Sequence, residues 1–274
     1  IEAARKVLVG AGDPAFIAEA LTLPGESTLT EQMEIVDPEL LFAARCGLAR
    51  FLAHGLESDL LRLYHALAPT APYQPDNLGA ARRRLRNLCL GYLNELDSPE
   101  YRTLARQQFD ATDNMTDQFA ALAVLANATG EEGDRALADF YARWQGEALV
   151  VDKWLAVQSS SRLPGTLARV ESLTQHAAFD IRNPNKVYAL LRTFGANHRH
   201  FHAADGTGYR FVAEQIVRLD PINPQVASRL ARSFDRWRRF DSERQRHSRA
   251  ALESVRNQPG LSRDVFEVVD KALS

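Results

Sequence analysis

The stretch "DPELLFAARCGLARFLAHG", residues 37 to 55, decides the fold class. Leu40, Leu41, Ala44, Leu48, Phe51 and Leu52 recur there at three- and four-residue spacing on one stripe, which is the period of an α-helix. Its start is marked by Asp37-Pro38. The aspartate oxygen can accept from an orphan backbone N–H, and proline takes the first helical position, where its missing donor does no harm. The same signature recurs at Asp13-Pro14, Ser98-Pro99, Asn183-Pro184 and Asn223-Pro224. Stops read at Gly55, Gly130, Gly146, Gly195 and "QPG" (258 to 260). About fifteen helices and no strand follow from these marks, joined by short polar loops. Short connections favour antiparallel neighbours, so the expected architecture is all-α. It is an irregular α-superhelix, or solenoid, of stacked antiparallel helix pairs forming one domain over residues 1–274. No strict sequence repeat is present, so any repetition is structural. "LAPTAPYQPDN" (67 to 77) reads as a connection between subarrays, and residues 195 to 208 as a shaped loop.

Composition narrows the class. Hydrophobic residues make up 45% of 274 positions, enough for a sizeable core, and no apolar run reaches the roughly 18 residues that a membrane span needs. The opening "IEAARKVLVGAGDP" is charged early and lacks a long apolar region, so it does not read as a signal peptide. It reads as a start inside a longer polypeptide. Cys46 and Cys89 both lie in amphipathic stretches, which points to buried thiols in a reducing, cytoplasmic compartment. With a net charge of −2, general attraction to nucleic acid is not expected.

Motifs for chemistry are sparse. His198, His200 and His202 in "HRHFH" alternate, so they converge only on an extended backbone, and no histidine is followed by the glutamate of an H-E-x-x-H zinc helix. The plain alternative is a polar loop whose last histidine is fixed by local hydrogen bonds. "DGTG" (205 to 208) has no following lysine or preceding strand and reads as a turn. Two basic runs, "ARRRLRN" (81 to 87) and "RSFDRWRRFDSERQRHSR" (232 to 249), could face nucleic acid. Acidic interruptions and the spacing of Phe234, Trp237 and Phe240 favour a solvated helix face with a buried aromatic edge.

Three motifs in order then carry a resemblance: "NPNKVYALLRTF" (183 to 194), "FHAADGTGYRFVAEQI" (201 to 216) and "NPQVASRL" (223 to 230). With "LRNLCLGYL" (85 to 93), "NMTDQFAAL" (114 to 122), "LVVDKW" (149 to 154) and "LSRDVFEVVDKAL" (261 to 273), the chain resembles the carboxy-terminal domain of bacterial aminopeptidase N, a zinc exopeptidase of the gluzincin class. The resemblance implies upstream catalytic domains as partners, zinc held there and not in this chain, peptide substrates, and no catalytic or metal-binding residue here. It implies a lid that closes over the zinc domain and controls peptide access. Gln225 and Arg229 are implied to line the substrate cavity, with Lys186 supplying part of its charge. Relatives carry a second basic residue where this chain has Tyr188, so a two-arginine pattern does not transfer intact. Asn183, Asn185, His202, Asp205, Gly206, Gly208, Tyr209, Asn223 and Pro224 are implied to shape the motifs, with Asp205 capping the next helix and Tyr209 anchoring it. The competing reading is an autonomous helical-repeat scaffold that binds protein or RNA on a concave face.

Overall fold

The computed structural model describes residues 1–10 and 12–274. Among them the chain is all-helical, with no strand and a single isolated parallel bridge between Val36 and Phe240. The helices are α1 (Glu2–Val9), α2 (Pro14–Ala20), α3 (Glu26–Thr30), α4 (Pro38–Ala66), α5 (Asn77–Asn94) and α6 (Pro99–Ala111). They continue with α7 (Met115–Leu125), α8 (Glu131–Trp144), α9 (Ala148–Ser159), α10 (Thr166–Leu173), α11 (Pro184–Val187) and α12 (Thr193–Gly195). The last are α13 (His198–Phe201), α14 (Thr207–Leu219), α15 (Pro224–Ala231), α16 (Ser242–Arg256) and α17 (Arg263–Leu273).

The chain divides into two compact units, one of residues 1–25 and 42–140, the other of residues 26–41 and 141–274. In the first, α5 packs on α2, α6 and α7, and α6 packs on α7. In the second, α9 packs on α10, α14 on α15 and α16, and α17 on α15 and α16. Each unit is thus built of stacked helix pairs, because every amphipathic helix must cover its apolar face with a neighbour.

All five capped prolines start helices. Asp13, Ser98, Asn183 and Asn223 accept from the backbone N–H of Ala15, Glu100, Asn185 and Val226, and Asp37 accepts from that of Leu40. Two expectations are corrected. Gly55 does not stop a helix, since α4 runs through it; the missing Cβ makes room for the Ile1 side chain, which would lie 2.3 Å away. Residues 67–76 link α4 to α5 inside the first unit, so they do not separate subarrays.

Helix α4 also corrects the stripe. It buries Leu41, Ala49, Ala53, Leu56, Leu60 and Tyr64, while Leu40, Leu48 and Phe51 remain 68%, 47% and 59% exposed. Its apolar residues exceed what one buried face can take. Phe16 on α2 is bare as well, at 65%. Of the cysteines, Cys89 is buried, its thiol pushed up to about 12 by desolvation, and Cys46 is half-buried.

The first unit encloses a polar knot. Tyr64 donates to Gln108 Oε1 at 3.0 Å, Gln108 donates to Asn87 Oδ1 at 2.8 Å, and Asn87 donates to Asp117 Oδ1 at 2.9 Å. Arg86 donates to Tyr64 Oη at 3.0 Å and lies 3.8 Å from Asp117 Oδ2. Four helices are tied through these five side chains. They belong to the "LRNLCLGYL" and "NMTDQFAAL" motifs and to α4 and α6, so those two motifs meet in space.

The Tyr188 and Arg229 surface

Asn183 caps and Pro184 opens a helix that continues without a break through a π-helical turn, Tyr188–Arg192, into α12. Lys186 does not sit on an open surface. It is 8% exposed, and its ammonium donates to Asp152 Oδ1 at 2.7 Å and to the Ala148 carbonyl at 2.9 Å. A buried ammonium must be paired, and α9 supplies the carboxylate. This corrects the expectation that Lys186 lends charge to a cavity: it bolts the "NPNK" turn to the "LVVDKW" helix. Asn185 is exposed beside it, its N–H held by Asn183.

Gln225 and Arg229 both emerge exposed from α15. Arg229 Nη1 donates to Tyr188 Oη at 3.0 Å, and the Arg192 guanidinium lies 5.7 Å from the centre of the Tyr188 ring. Tyr188 is therefore an accepting post between two cations. A pocket of about 440 Å³ opens there, lined by Arg192, Gly195, Ala196, Arg229, Arg232 and Ser233. Of these arginines, no sequence feature singled out Arg192, and Arg232 entered only as the first residue of the second basic run. Arg192 stands four residues after Tyr188 and Arg232 three after Arg229, a spacing that was legible; the π-helical turn was not.

The histidine segment is helical, not extended. Residues 198–201 form α13, so His198 and His202 share a side, with ring centres 5.5 Å apart. His202 Nδ1 lies 2.8 Å from Tyr209 Oη, and its ring stacks at 3.8 Å on Phe240. Arg244 Nε donates to the His202 carbonyl at 2.7 Å, and its guanidinium pairs with Asp241 and Glu39. Tyr209 is fully buried against Phe201 and Phe234, and burial raises its hydroxyl to about 12. Asp205 accepts from the Thr207 N–H at 3.0 Å and hydroxyl at 2.7 Å, and Gly206 takes φ +70 where a Cβ would strike the His247 ring. Among the described residues no group of three or more histidine, cysteine or carboxylate side chains is placed to hold a metal ion. The residues of this segment do not fit zinc.

Desolvation holds all three histidines below the usual imidazole range, most strongly His202, where the positive charges of His198 and Arg244 add to the effect. The unfolded chain then binds protons that the folded chain refuses. The stability contributed by a neutral His202 is fully present above about pH 6.5 and is lost as pH falls below it, by about 1.4 kcal/mol per pH unit. Urea unfolding at pH 7.5 and 5.5 measures this, and His202→Gln is expected to reduce the slope by about one proton.

Both basic runs are engaged within the molecule. Arg84 pairs with Glu19, Arg86 with Asp117, and Arg82 donates to the Ala66 carbonyl. Arg236 pairs with Glu31, Arg238 donates to the Ala272 and Leu273 carbonyls, and Arg239 donates to the Met33 carbonyl. Phe234, Trp237 and Phe240 are buried, although the first two lie on separate 3-10 turns (Arg232–Phe234 and Trp237–Arg239) and Phe240 follows in extended backbone, not on one helix face as expected.

Helix pairs stacked without strands are the build of an ARM-repeat domain, and a family model described as "Domain of unknown function (DUF3458_C) ARM repeats" matches residues 1–274. The chain belongs to this family and is homologous to bacterial aminopeptidase N. It is 38% identical to aminopeptidase N of Escherichia coli over 96% of its length, and 39% identical to that of Caulobacter vibrioides over 98%. It spans only 30% and 31% of those relatives. A crystal structure of Legionella pneumophila aminopeptidase A in complex with aspartic acid superimposes with a TM-score of 0.90 at 33% identity, over 98% of this chain and 33% of that one.

Proposed function

We propose that this chain is the non-catalytic carboxy-terminal domain of a cytoplasmic zinc aminopeptidase. It closes over the zinc domain, encloses the active-site cavity and governs which peptides enter. The observation that supports this best is the apolar excess of α4, whose Leu48 and Phe51 stay bare after the unit's own core is filled. A surface helix with no partner would be expected to carry polar residues there. In this reading the catalytic groups and the zinc lie in the part of the relatives that this chain does not span, and Gln225 and Arg229 face the enclosed space. Gln225 offers a neutral hydrogen-bonding wall and Arg229 a cation for a carbonyl or carboxylate. Among the described residues no helix is long and apolar enough to cross a membrane. The alternative of an RNA-binding scaffold has little to stand on, because most arginines of the two basic runs are tied to carboxylates and carbonyls of the same chain and Arg83 lies over the Tyr73 ring.

Hydrolysis of an alanyl anilide tests the proposal, using the upstream part of such an enzyme expressed separately, with and without this chain. The expected result is association in trans and at least a tenfold change in kcat/KM on addition. Leu48→Asp together with Phe51→Asp should weaken association by at least tenfold. Unchanged turnover and no association would overturn the lid reading.

A further inference from the structure

We infer that residues 26–41 form a strap that opens as one local segment, with the rest of the second unit still folded, when His198 and His202 beneath it take up protons.

The strap is held lightly. Of residues 26–41 only Thr30, Val36, Pro38 and Leu41 are buried, and Ile35 is 67% exposed. Four ties run to one short stretch, residues 236–244. Arg236 donates to Glu31 at 3.1 Å, Arg239 donates to the Met33 carbonyl, the Val36 N–H donates to the Arg239 carbonyl at 2.7 Å, and Arg244 pairs with Glu39. Segments with little buried surface and solvent-facing ties are the first to open in a folded protein.

A cavity of about 210 Å³ lies under the strap, lined on that side by Thr30 and Val36 and opposite by His198, His202 and Phe240 among others. The buried His202 ring stacks on Phe240, the partner of Val36 in the isolated bridge, so lifting Val36 uncovers the stack. His198 Nδ1 is buried without a hydrogen-bond partner. A charged imidazole carries an N–H on both nitrogens, and here one would have no acceptor until water enters.

The charges around the pair oppose protonation in the closed form. The stretch 232–239 presents Arg232, Arg236 and Arg239 against the carboxylate of Asp235, α16 presents Arg244, and α14 presents the neutral Tyr209 hydroxyl. The carboxylates of Glu31, Glu39 and Asp241 are already paired with arginines. His200 meets the backbone of Arg162 and Leu163 and does not line the cavity. Desolvation, and after it the neighbouring cations, keep His198 and His202 neutral while the strap is closed. The open form therefore binds the extra protons and gains as pH falls below about 6.5.

Hydrogen exchange of the chain at pH 7.5 and 5.5, read by mass spectrometry and corrected for the pH dependence of free amides, tests the strap. The expected result is that opening of its amides, that of Val36 among them, rises about tenfold for each histidine freed, up to about a hundredfold for the two, while α14 stays protected over the same interval. His198→Gln should remove about tenfold of that rise. Glu31→Gln cuts a tie without altering the cavity lining, and should raise opening about two- to fivefold at both pH values while keeping the parent's pH dependence. Loss of protection in the strap and α14 at one common rate would mean global unfolding and no strap. A rise in the parent below about threefold, or one that His198→Gln leaves intact, would overturn the part given to the histidines.

Discussion

Asp117→Ala is expected to lower the unfolding free energy by about 3 to 5 kcal/mol, the cost of leaving a buried charge without its partner. Asp117 is 1% exposed and is the only carboxylate within reach of Arg86 in the knot of the first unit. It also receives hydrogen bonds from Asn87 at 2.9 Å and Asn114 at 3.1 Å, so its removal takes the neighbouring carboxylate from Arg86 and an acceptor from each of two amides. Asp117→Asn keeps the shape and part of the hydrogen bonding and should cost less. Arg86→Ala added to Asp117→Ala should cost little more, because the second change deletes the charge that the first orphaned. Urea denaturation of the parent, Asp117→Ala, Arg86→Ala and the double variant checks this, and additive losses would show that the pair is not coupled.

Gly208→Ala is expected to cost about 2 to 4 kcal/mol. A Cβ there would stand 2.4 Å from the Phe201 carbonyl oxygen and 2.5 Å from that of His200, and both are backbone atoms that cannot swing aside. Relief requires α13 and α14 to part, which disturbs the His202 to Tyr209 hydrogen bond. Gly91 supplies the comparison. It lies inside α5 with nothing within 4 Å of its would-be Cβ, so Gly91→Ala should stabilise by about 0.5 to 1 kcal/mol through helix propensity alone. Equal effects at the two glycines would mean that the close approach at Gly208 is unimportant.

These two sites show what was legible in the sequence. The capped prolines gave five helix starts because each cap is a local event, complete within four residues. Periodicity identified α4 as a helix but misplaced its buried face, since a helix with apolar residues on two sides does not say which side its own unit covers. Lys186 looked available for the same reason. Its partner, Asp152, stands 34 residues away, and only packing reveals that the two motifs complete each other. The alternating histidines could converge only on an extended chain, and a polar loop was the plain alternative; helix α13 instead pairs His198 with His202 across one turn. Arg192 went unnoticed because its place beside the Arg229 surface depends on how α15 packs, which local spacing does not announce.

Residues 26–41 interrupt the sequence of the first unit yet belong to the second, where Glu31, Met33, Val36 and Glu39 are held by Arg236, Arg239, Phe240 and Arg244. The two ends of these ties are separated by about two hundred residues, 205 in the case of Glu39 and Arg244. At ribosomal speeds of 5 to 20 residues per second, the early segment waits roughly 10 to 40 s in the nascent chain before its partners are made. Its apolar members Val36 and Leu41, buried in the folded chain, spend that interval without their final cover. A cut at 140/141 meets the same obstacle, for neither fragment would carry the whole of the second unit.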